Sequence, residues 1–225
     1  MAFDTKTFKT RTLTAIIFAF AMLIGLLWNR WTFIILFIII HFGCWYEFIK
    51  LLKKIDPANY KLKSLLGLLY ITLPIVLMIV LRTENIKDLN DDFLKILPCG
   101  IVFSIWINDT MAYIVGSFIG KTPLSSISPR KTREGTIGGI ILCVIVISLI
   151  GYFSNYFSLI DWIVISFFCA FFGTLGDLIE SKLKRIANVK DSGSLMPGHG
   201  GFLDRFDSML VAIPFVFVYY FLFIR

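Results

Sequence analysis

Residues 137–153 read IGGIILCVIVISLIGYF and contain no charged side chain. An α-helix rises about 1.5 Å per residue, so an uncharged run of this length nearly crosses the roughly 30 Å hydrocarbon core of a bilayer. Because lipid offers no hydrogen-bond partners to the backbone, such a run is predicted to be a helix. Six further apolar runs predict the same structure, at residues 13–28, 31–49, 64–81, 93–118, 160–178 and 208–224.

The composition extends this prediction to the whole chain. Hydrophobic residues make up 57% of the sequence, 23 residues are Phe, and the mean hydropathy is +0.82. We therefore predict an all-α, polytopic integral membrane bundle of about seven transmembrane helices, forming a single membrane domain over residues 1–225. No small-residue cleavage site follows Trp28, so the first run is expected to be a retained helix rather than a signal peptide.

The basic residues are distributed unevenly between the two sides of this bundle. Of 22 Lys and Arg residues, 17 lie in the N-terminal tail and in alternate loops at 50–63, 120–136 and 179–207. The positive-inside rule places the N-terminus and these loops in the cytoplasm. This distribution accounts for most of the net charge of +7 and favours anionic headgroups, so no nucleic-acid partner is expected.

Polar residues are concentrated between Lys190 and Ser208, where the chain reads KDSGSLMPGHGGFLDRFDS. Closely spaced glycines allow the backbone to approach a ligand, and Asp204 and Asp207 are hard carboxylates that suit Mg²⁺ beside phosphate. Capping of a helix N-terminus is the simpler explanation for either acid taken alone. His199 is open to three interpretations: a donor to phosphate, a proton-transfer group or a cap. Together these residues predict a phosphate-handling site.

A second polar group lies in DLIESKLKR, Asp177 to Arg185, which continues an apolar run without a helix breaker. Residues three, four and seven positions apart share one face of a helix. That face groups Asp177, Glu180, Ser181 and Lys184. A solvated helix end with ion pairs explains the same pattern, so the spacing alone leaves both interpretations open.

The apolar run at 93–118 contains a carboxylate, Asp109. An acid within a membrane segment is costly unless it faces a cavity, a metal or a base, so Asp109 is interpreted as functional. Pro98 and Gly100 in the same run favour a break in the helix that lines such a cavity. The following loop adds cations that anchoring at the cytoplasmic surface explains equally well: Lys121, Arg130, Lys131 and Arg133.

Taken together, these segments resemble the phosphatidate cytidylyltransferases, also called CDP-diacylglycerol synthases. The stretch SKLKRIANVKDSGSLMPGHGGFLDRFD, Ser181 to Asp207, is similar to the signature of that family along its whole length. Other blocks resemble the family in the same order: Trp106, Asp109, Ala112, Tyr113 and Gly116, then SPRKTREG at 128–135 and GDLIES at 176–181. The likeness is strong over the C-terminal half and weak over the first two runs. The chain is shorter than many bacterial members, and Asn108 and Arg130 stand where other residues are expected.

The resemblance implies transfer of a cytidylyl group from CTP to phosphatidate, giving CDP-diacylglycerol and pyrophosphate with one or two Mg²⁺ ions. It implies that Asp177 and Asp204 bind metal, with Asp207 as a further ligand or a supporting acid. The residues expected to be catalytic are these three acids with Lys184 and His199. The residues expected to bind substrate are Asp109, Lys131, Arg133, Ser181, Arg185, Lys190, Asp191, Gly198, Gly200, Gly201 and Arg205.

The compact length favours a bacterial plasma membrane, with the catalytic half at about residues 100–210 facing the cytoplasm, and a homodimer rests on the resemblance alone. Two alternatives stay open. A CTP-dependent cytidylyltransferase for another lipid phosphate would share the nucleotide half of the site. A transporter of an anionic metabolite would also place acids and bases at helix ends, but such proteins usually show paired halves and a midplane site, which this sequence does not show.

Overall fold

The computed structural model of the protein describes residues 5–83, 91–193 and 200–225, with side chains from 12–83, 94–193 and 200–225. These ranges form helices α1 Thr5–Leu27, α2 Arg30–Ile55, α3 Tyr60–Ser64, α4 Leu73–Thr83, α5 Asp91–Ile119, α6 Arg133–Ser154, α7 Leu159–Ile186 and α8 Leu203–Tyr219. Two π-helical turns, Leu68–Thr72 and Tyr220–Ile224, precede α4 and follow α8. The described ranges contain no β-strand, so the all-α prediction is confirmed.

Six helical segments are long and apolar enough to cross a membrane. They are Arg30–Ile55, Tyr60–Thr83, Leu94–Ile119, Arg133–Ser154, Leu159–Ile186 and Leu203–Ile224. A shorter apolar helix, Thr12–Leu27, accompanies them and corresponds to the first of the seven predicted runs. The protein is therefore an integral, multi-pass membrane protein, while the side on which its N-terminus lies stays a prediction.

Two helices differ from the prediction in detail. The expected break at Pro98 is wrong, because α5 runs without interruption from Asp91 to Ile119. Neighbouring helices can hold a membrane helix together at a proline, and α6 and α7 both pack on α5. The irregular turn is instead Leu68–Thr72. There the Thr72 hydroxyl accepts a hydrogen bond of 3.0 Å from Nε1 of Trp45, which ties the turn to α2.

Glycine allows close contact between two pairs of helices. Along α5 and α6, a Cβ added at Gly139 would lie 2.7 Å from the Cβ of Ala112. Along α7 and α8, a Cβ added at Gly176 would overlap the carbonyl oxygen of Asp207. Small residues at such crossings let helix backbones approach closely in a membrane. The two contacts fix the positions of the helix ends that carry the polar side chains.

Five helix ends meet at one end of the bundle. The C-terminal ends of α2, α5 and α7 lie beside the N-terminal ends of α6 and α8, as the contacts between their polar side chains show. Buried apolar side chains fill the interior away from this end, among them Phe33, Ile75, Ile165 and Ile213. The bundle therefore has one polar end, where residues from both halves of the sequence come together.

Candidate active site

A cavity of about 460 Å³ lies between α5, α6 and α7 at the polar end of the bundle. Asp109 of α5 and Asp177 of α7 line it, together with Lys131 from the loop before α6. The Lys131 ammonium lies 2.5 Å from Oδ2 of Asp177. Three residues that the sequence analysis assigned to the site from separate segments therefore share one cavity.

The loop that carries Lys131 is folded back on itself. The start and the end of the loop are joined by a hydrogen bond of 2.7 Å from the Leu124 amide to the Lys131 carbonyl. The hydroxyl of Thr132 then caps α6 by accepting a hydrogen bond of 3.1 Å from the Gly135 amide. Because the loop backbone is fixed on both sides of Lys131, the ammonium is held towards α7. The predicted role of this loop as a surface anchor alone does not account for that direction.

A second cluster lies between α7 and α8. The Lys184 ammonium forms ion pairs with Glu180, one turn earlier on α7, and with Oδ1 of Asp204 at 2.5 Å. The Glu180 side chain is 0% exposed and that of Lys184 is 12% exposed. This burial excludes a solvated helix end for the pair, so one ammonium is shared by two carboxylates inside the protein. The shared ammonium stabilises the two carboxylate charges only while all three groups stay in place.

Asp204 is enclosed by donors from its own chain. Its Oδ2 accepts hydrogen bonds of 2.9 Å from the Ser192 amide, the Ser192 hydroxyl and the Gly201 amide. Gly200 has φ +86°, in the left-handed region that favours glycine, and a Cβ there would lie 3.0 Å from Oδ2. The described glycines of this loop thus allow the backbone to approach a carboxylate of the protein itself.

Glu47 of α2 joins the same cluster, and the sequence analysis missed it. Its Oε2 accepts hydrogen bonds of 2.7 Å from the Ser192 hydroxyl and 2.9 Å from the Leu203 amide. The side chain is 0% exposed. The signal that would have found it is the one applied to Asp109, because Glu47 is also a lone acid in a predicted membrane run.

The three acids that were predicted to bind metal have different surroundings. Asp177 lines the open cavity. Asp204 is held in the Lys184 cluster. Asp207 is buried beside α7, and its Oδ1 accepts a hydrogen bond of 2.6 Å from the Ser208 amide. In the described ranges no group of three or more His, Cys, Asp or Glu side chains is arranged to hold a metal ion.

The donor chemistry nevertheless fits a magnesium ion at the cavity. Mg²⁺ is usually held by one or two carboxylates and completes its octahedral shell with water and phosphate oxygens. Asp109 and Asp177 offer such oxygens at a cavity wall, and the ammonium of Lys131 already occupies a cation position on Asp177. Lys184, Ser192 and Gly201 engage both oxygens of Asp204 in this structure, so its role as a metal ligand stays a prediction.

The remaining predicted residues are placed as follows. Ser181 is buried on α7, and five charged residues are exposed around the polar end: Arg133, Arg185, Lys190, Asp191 and Arg205. Lys190 and Asp191 line a separate pocket of about 290 Å³, together with Lys50 and Lys54 of α2. His199 and Gly198 lie outside the described residues. The basic end of α2, predicted to lie in a cytoplasmic loop, therefore shares a pocket with two residues that were predicted to bind substrate.

The chain is similar to one protein family and to individual bacterial proteins. A family model described as "Cytidylyltransferase family" matches residues 55–223. The phosphatidate cytidylyltransferase of Bacillus subtilis (strain 168) is 46% identical over 115 residues, 50% of this chain and 43% of that protein. Those of Staphylococcus haemolyticus (strain JCSC1435) and Staphylococcus aureus (strain COL) are 47% identical over 113 residues, 49% of this chain and 43% of each relative.

These matches therefore span less than half the length of the curated relatives. The family model extends further than the pairwise matches, from the last residue of α2 into the π-helical turn that follows α8. Its range includes the cavity between α5, α6 and α7 and the Lys184 cluster, but not Glu47. Because the model covers most of the sequence, the chain belongs to the cytidylyltransferase family.

Proposed function

We propose that the protein transfers a cytidylyl group from CTP to phosphatidate, giving CDP-diacylglycerol and pyrophosphate. Family membership and the names of the relatives support this activity. The structural observation that carries it is the cavity of about 460 Å³ that Asp109, Lys131 and Asp177 line at the end of membrane-spanning helices. A charged cavity in that position suits one soluble substrate and one substrate with acyl chains.

The reaction requires no nucleophile from the protein. A phosphate oxygen of phosphatidate attacks the α-phosphorus of CTP and forms the new P–O bond. The bond from that phosphorus to the oxygen bridging the β-phosphate breaks, and pyrophosphate leaves. Catalysis of such phosphoryl-type transfers comes mainly from positioning and from stabilisation of charge in the transition state.

The cavity residues would supply both effects. Lys131 is placed to neutralise phosphate oxygens when a ligand draws it from Asp177. Asp109 and Asp177 would hold Mg²⁺, which when bound neutralises charge on the attacking and leaving oxygens. The exposed cations at the same end would hold the triphosphate and the departing pyrophosphate: Arg133, Arg185, Lys190 and Arg205.

Access to the cavity follows from the predicted orientation of the bundle. With the polar end facing the cytoplasm of a bacterium, CTP would enter from water and the lipid headgroup would enter from the inner leaflet of the plasma membrane. The basic loops at this end suit that leaflet because it carries anionic lipids. A homodimer is a further part of the proposal that rests on family resemblance alone.

The test is transfer of label from α-phosphate-labelled CTP into lipid by the detergent-purified protein, with Asp204→Asn in parallel. Label that requires phosphatidate, Mg²⁺ and Asp204 is the expected result. If label appears only with another lipid phosphate, that lipid and not phosphatidate is the acceptor. Binding of CTP without any labelled lipid would overturn the proposal, and nucleotide or metabolite flux in proteoliposomes would then identify a transporter.

A further inference from the structure

Glu47 contacts both ends of the segment that joins α7 to α8. Its Oε2 accepts a hydrogen bond from the Ser192 hydroxyl, near the end of α7, and another from the amide of Leu203, the first residue of α8. The two donors are separated by ten residues of sequence that belong to the signature. A single carboxylate from the first half of the chain therefore ties Ser192, six residues after the end of α7, to the first residue of α8.

Gly193 and Gly201 show how closely the described backbone approaches this carboxylate. A Cβ added at Gly193 would overlap Oε1 of Glu47, and a Cβ added at Gly201 would overlap Oε2. Real Cβ atoms do not tolerate such contacts, so any side chain at either position would displace the backbone or Glu47. Glu47 therefore fits against these two glycines, although more than a hundred residues of sequence separate them.

The Ser192 hydroxyl connects Glu47 to Asp204. Its oxygen lies 2.7 Å from Oε2 of Glu47 and 2.9 Å from Oδ2 of Asp204. A hydroxyl has one proton, so the Ser192 hydroxyl donates to one of the two carboxylates at a time, while the Ser192 amide also donates to Oδ2 of Asp204. Movement of either carboxylate must therefore change the hydrogen bonding of the other.

The burial of Glu47 indicates that these contacts have a purpose beyond packing. Its neighbours on the same face of α2 are apolar and buried, including Cys44, Phe48 and Leu51. Its Oε1 is also buried and has no hydrogen-bond partner within the described part of the chain. Leaving a buried polar atom unsatisfied lowers stability, and an apolar residue here would avoid that cost.

We propose that Glu47 is a positioning residue, whose carboxylate fixes the first turn of α8 and, through the Ser192 hydroxyl, the orientation of Asp204. The inference rests on the proposed cytidylyl transfer and extends the site to a helix outside residues 55–223, which the family model matches. Asp204 in turn holds Lys184. Glu47 would therefore act on turnover without touching substrate.

A double-mutant cycle between Glu47 and Ser192 tests this coupling. Turnover and KM for CTP are measured for Glu47→Ala, Ser192→Ala and the double variant, below the lowest thermal midpoint of the set. Each single change is expected to lower kcat roughly 10- to 100-fold, as when a group that orients an active-site residue is lost. KM for CTP should stay within about twofold. The double variant should be no worse than the poorer single variant, because both residues act through one contact.

Two controls keep the result interpretable. Glu47→Gln retains an acceptor for the Leu203 amide and should recover part of the lost kcat, and it replaces Glu47→Ala in the cycle if that variant does not fold. Ser64→Ala removes a hydroxyl that donates to the Lys61 carbonyl within its own exposed turn, and it should match the wild type. Losses that multiply in the double variant, or wild-type kcat in folded Glu47→Ala, would overturn the inference.

The same variants separate this inference from the proposed function. Absence of labelled lipid with the wild-type protein counts against the transfer reaction and not against the contact. Hydrogen exchange at the Leu203 amide then reports on Glu47 directly. Faster exchange in Glu47→Ala supports the positioning of α8, and unchanged exchange refutes it.

Discussion

Two aspartate–lysine pairs at the polar end of the bundle have the same chemistry and different surroundings. Lys131 and Asp177 lie 2.5 Å apart at the wall of a cavity, with side chains 35% and 24% exposed. Lys184 and Asp204 also lie 2.5 Å apart, but their side chains are only 12% and 11% exposed. The first pair borders a space that a ligand can enter. The second is closed by Glu180, Ser192 and Gly201.

Because the side chains of the two pairs differ in exposure, we expect the pairs to have different roles. An ion pair near the surface contributes about 0–1 kcal/mol. Lys131–Asp177 is the more exposed of the two pairs, so a phosphate or a metal ion should displace Lys131 at the lower cost. Removing one partner of a buried pair costs roughly 3–5 kcal/mol, because the other charge stays behind without compensation. The cavity pair is therefore suited to exchange partners during a reaction, and the Lys184 cluster is suited to hold α7 and α8 together.

The largest effect is expected from Lys184→Met. This change leaves Glu180, which is fully buried, and Asp204 without their shared cation. We expect the free energy of unfolding to fall by about 3–5 kcal/mol in a detergent-based denaturation experiment. Lys131→Met is the matched control and should lower it by less than about 1 kcal/mol. Equal losses in the two variants would remove the distinction between the pairs.

The next largest effect is expected from Asp177→Asn, and it should fall on turnover. The change removes a carboxylate charge from the cavity wall, where charge stabilisation is expected to be most valuable. Transfer of label to lipid should drop on the order of 10²–10³-fold, or about 3–4 kcal/mol in the barrier. The thermal midpoint should stay close to that of the wild type, since the pair is partly solvated.

Asp204→Asn is the contrasting variant for that measurement. It should also lose turnover, but its thermal midpoint should fall, because Asp204 holds Lys184, Ser192 and Gly201. Near wild-type turnover in Asp177→Asn would remove this acid from the reaction. An unchanged midpoint in Asp204→Asn would show that the closed network contributes nothing to stability.

A smaller effect separates two glycines one turn apart on α7. A Cβ at Gly176 would overlap the Asp207 carbonyl oxygen, whereas a Cβ at Gly173 would lie 3.4 Å from the Cβ of Ser208. Gly176→Ala should therefore push α8 away and lower the free energy of unfolding by about 1–3 kcal/mol. Gly173→Ala has room and should change it by less than about 1 kcal/mol. Tolerance of both changes would show that α8 is not held at this crossing.

Most of the fold was predictable because membrane helices obey a single strong rule. Uncharged runs of sufficient length must be helical in lipid, and six of the seven predicted runs are helices long enough to span it. The exception in detail was Pro98, where the sequence suggested a break and packing by α6 and α7 kept α5 intact. A local proline effect was outweighed by tertiary contacts that a sequence pattern does not contain.

The site was predictable where its residues are close in sequence. Spacing on a helix placed Glu180 beside Lys184, and the structure shows that pair. Spacing on a helix could not predict the contact between Glu47 and Ser192, which are 145 residues apart. Spacing also could not predict which acids line an open cavity and which lie in a closed cluster, because burial depends on how the helices pack. Lone acids within apolar runs are the signal that would have recovered Glu47.

The smallest effect is expected from Lys53→Ala, on the basic end of α2. Lys53 is exposed, and its ammonium lies 5.1 Å above the centre of the Tyr60 ring. A cation–π contact at such a site contributes about 0.5–1 kcal/mol, so stability should change by no more than that. Turnover should stay within about twofold of the wild type, because Lys53, unlike Lys50 and Lys54, lines no pocket shared with Lys190. Complete loss of turnover in folded protein would shift the site towards α2 and away from the cavity beside Asp177.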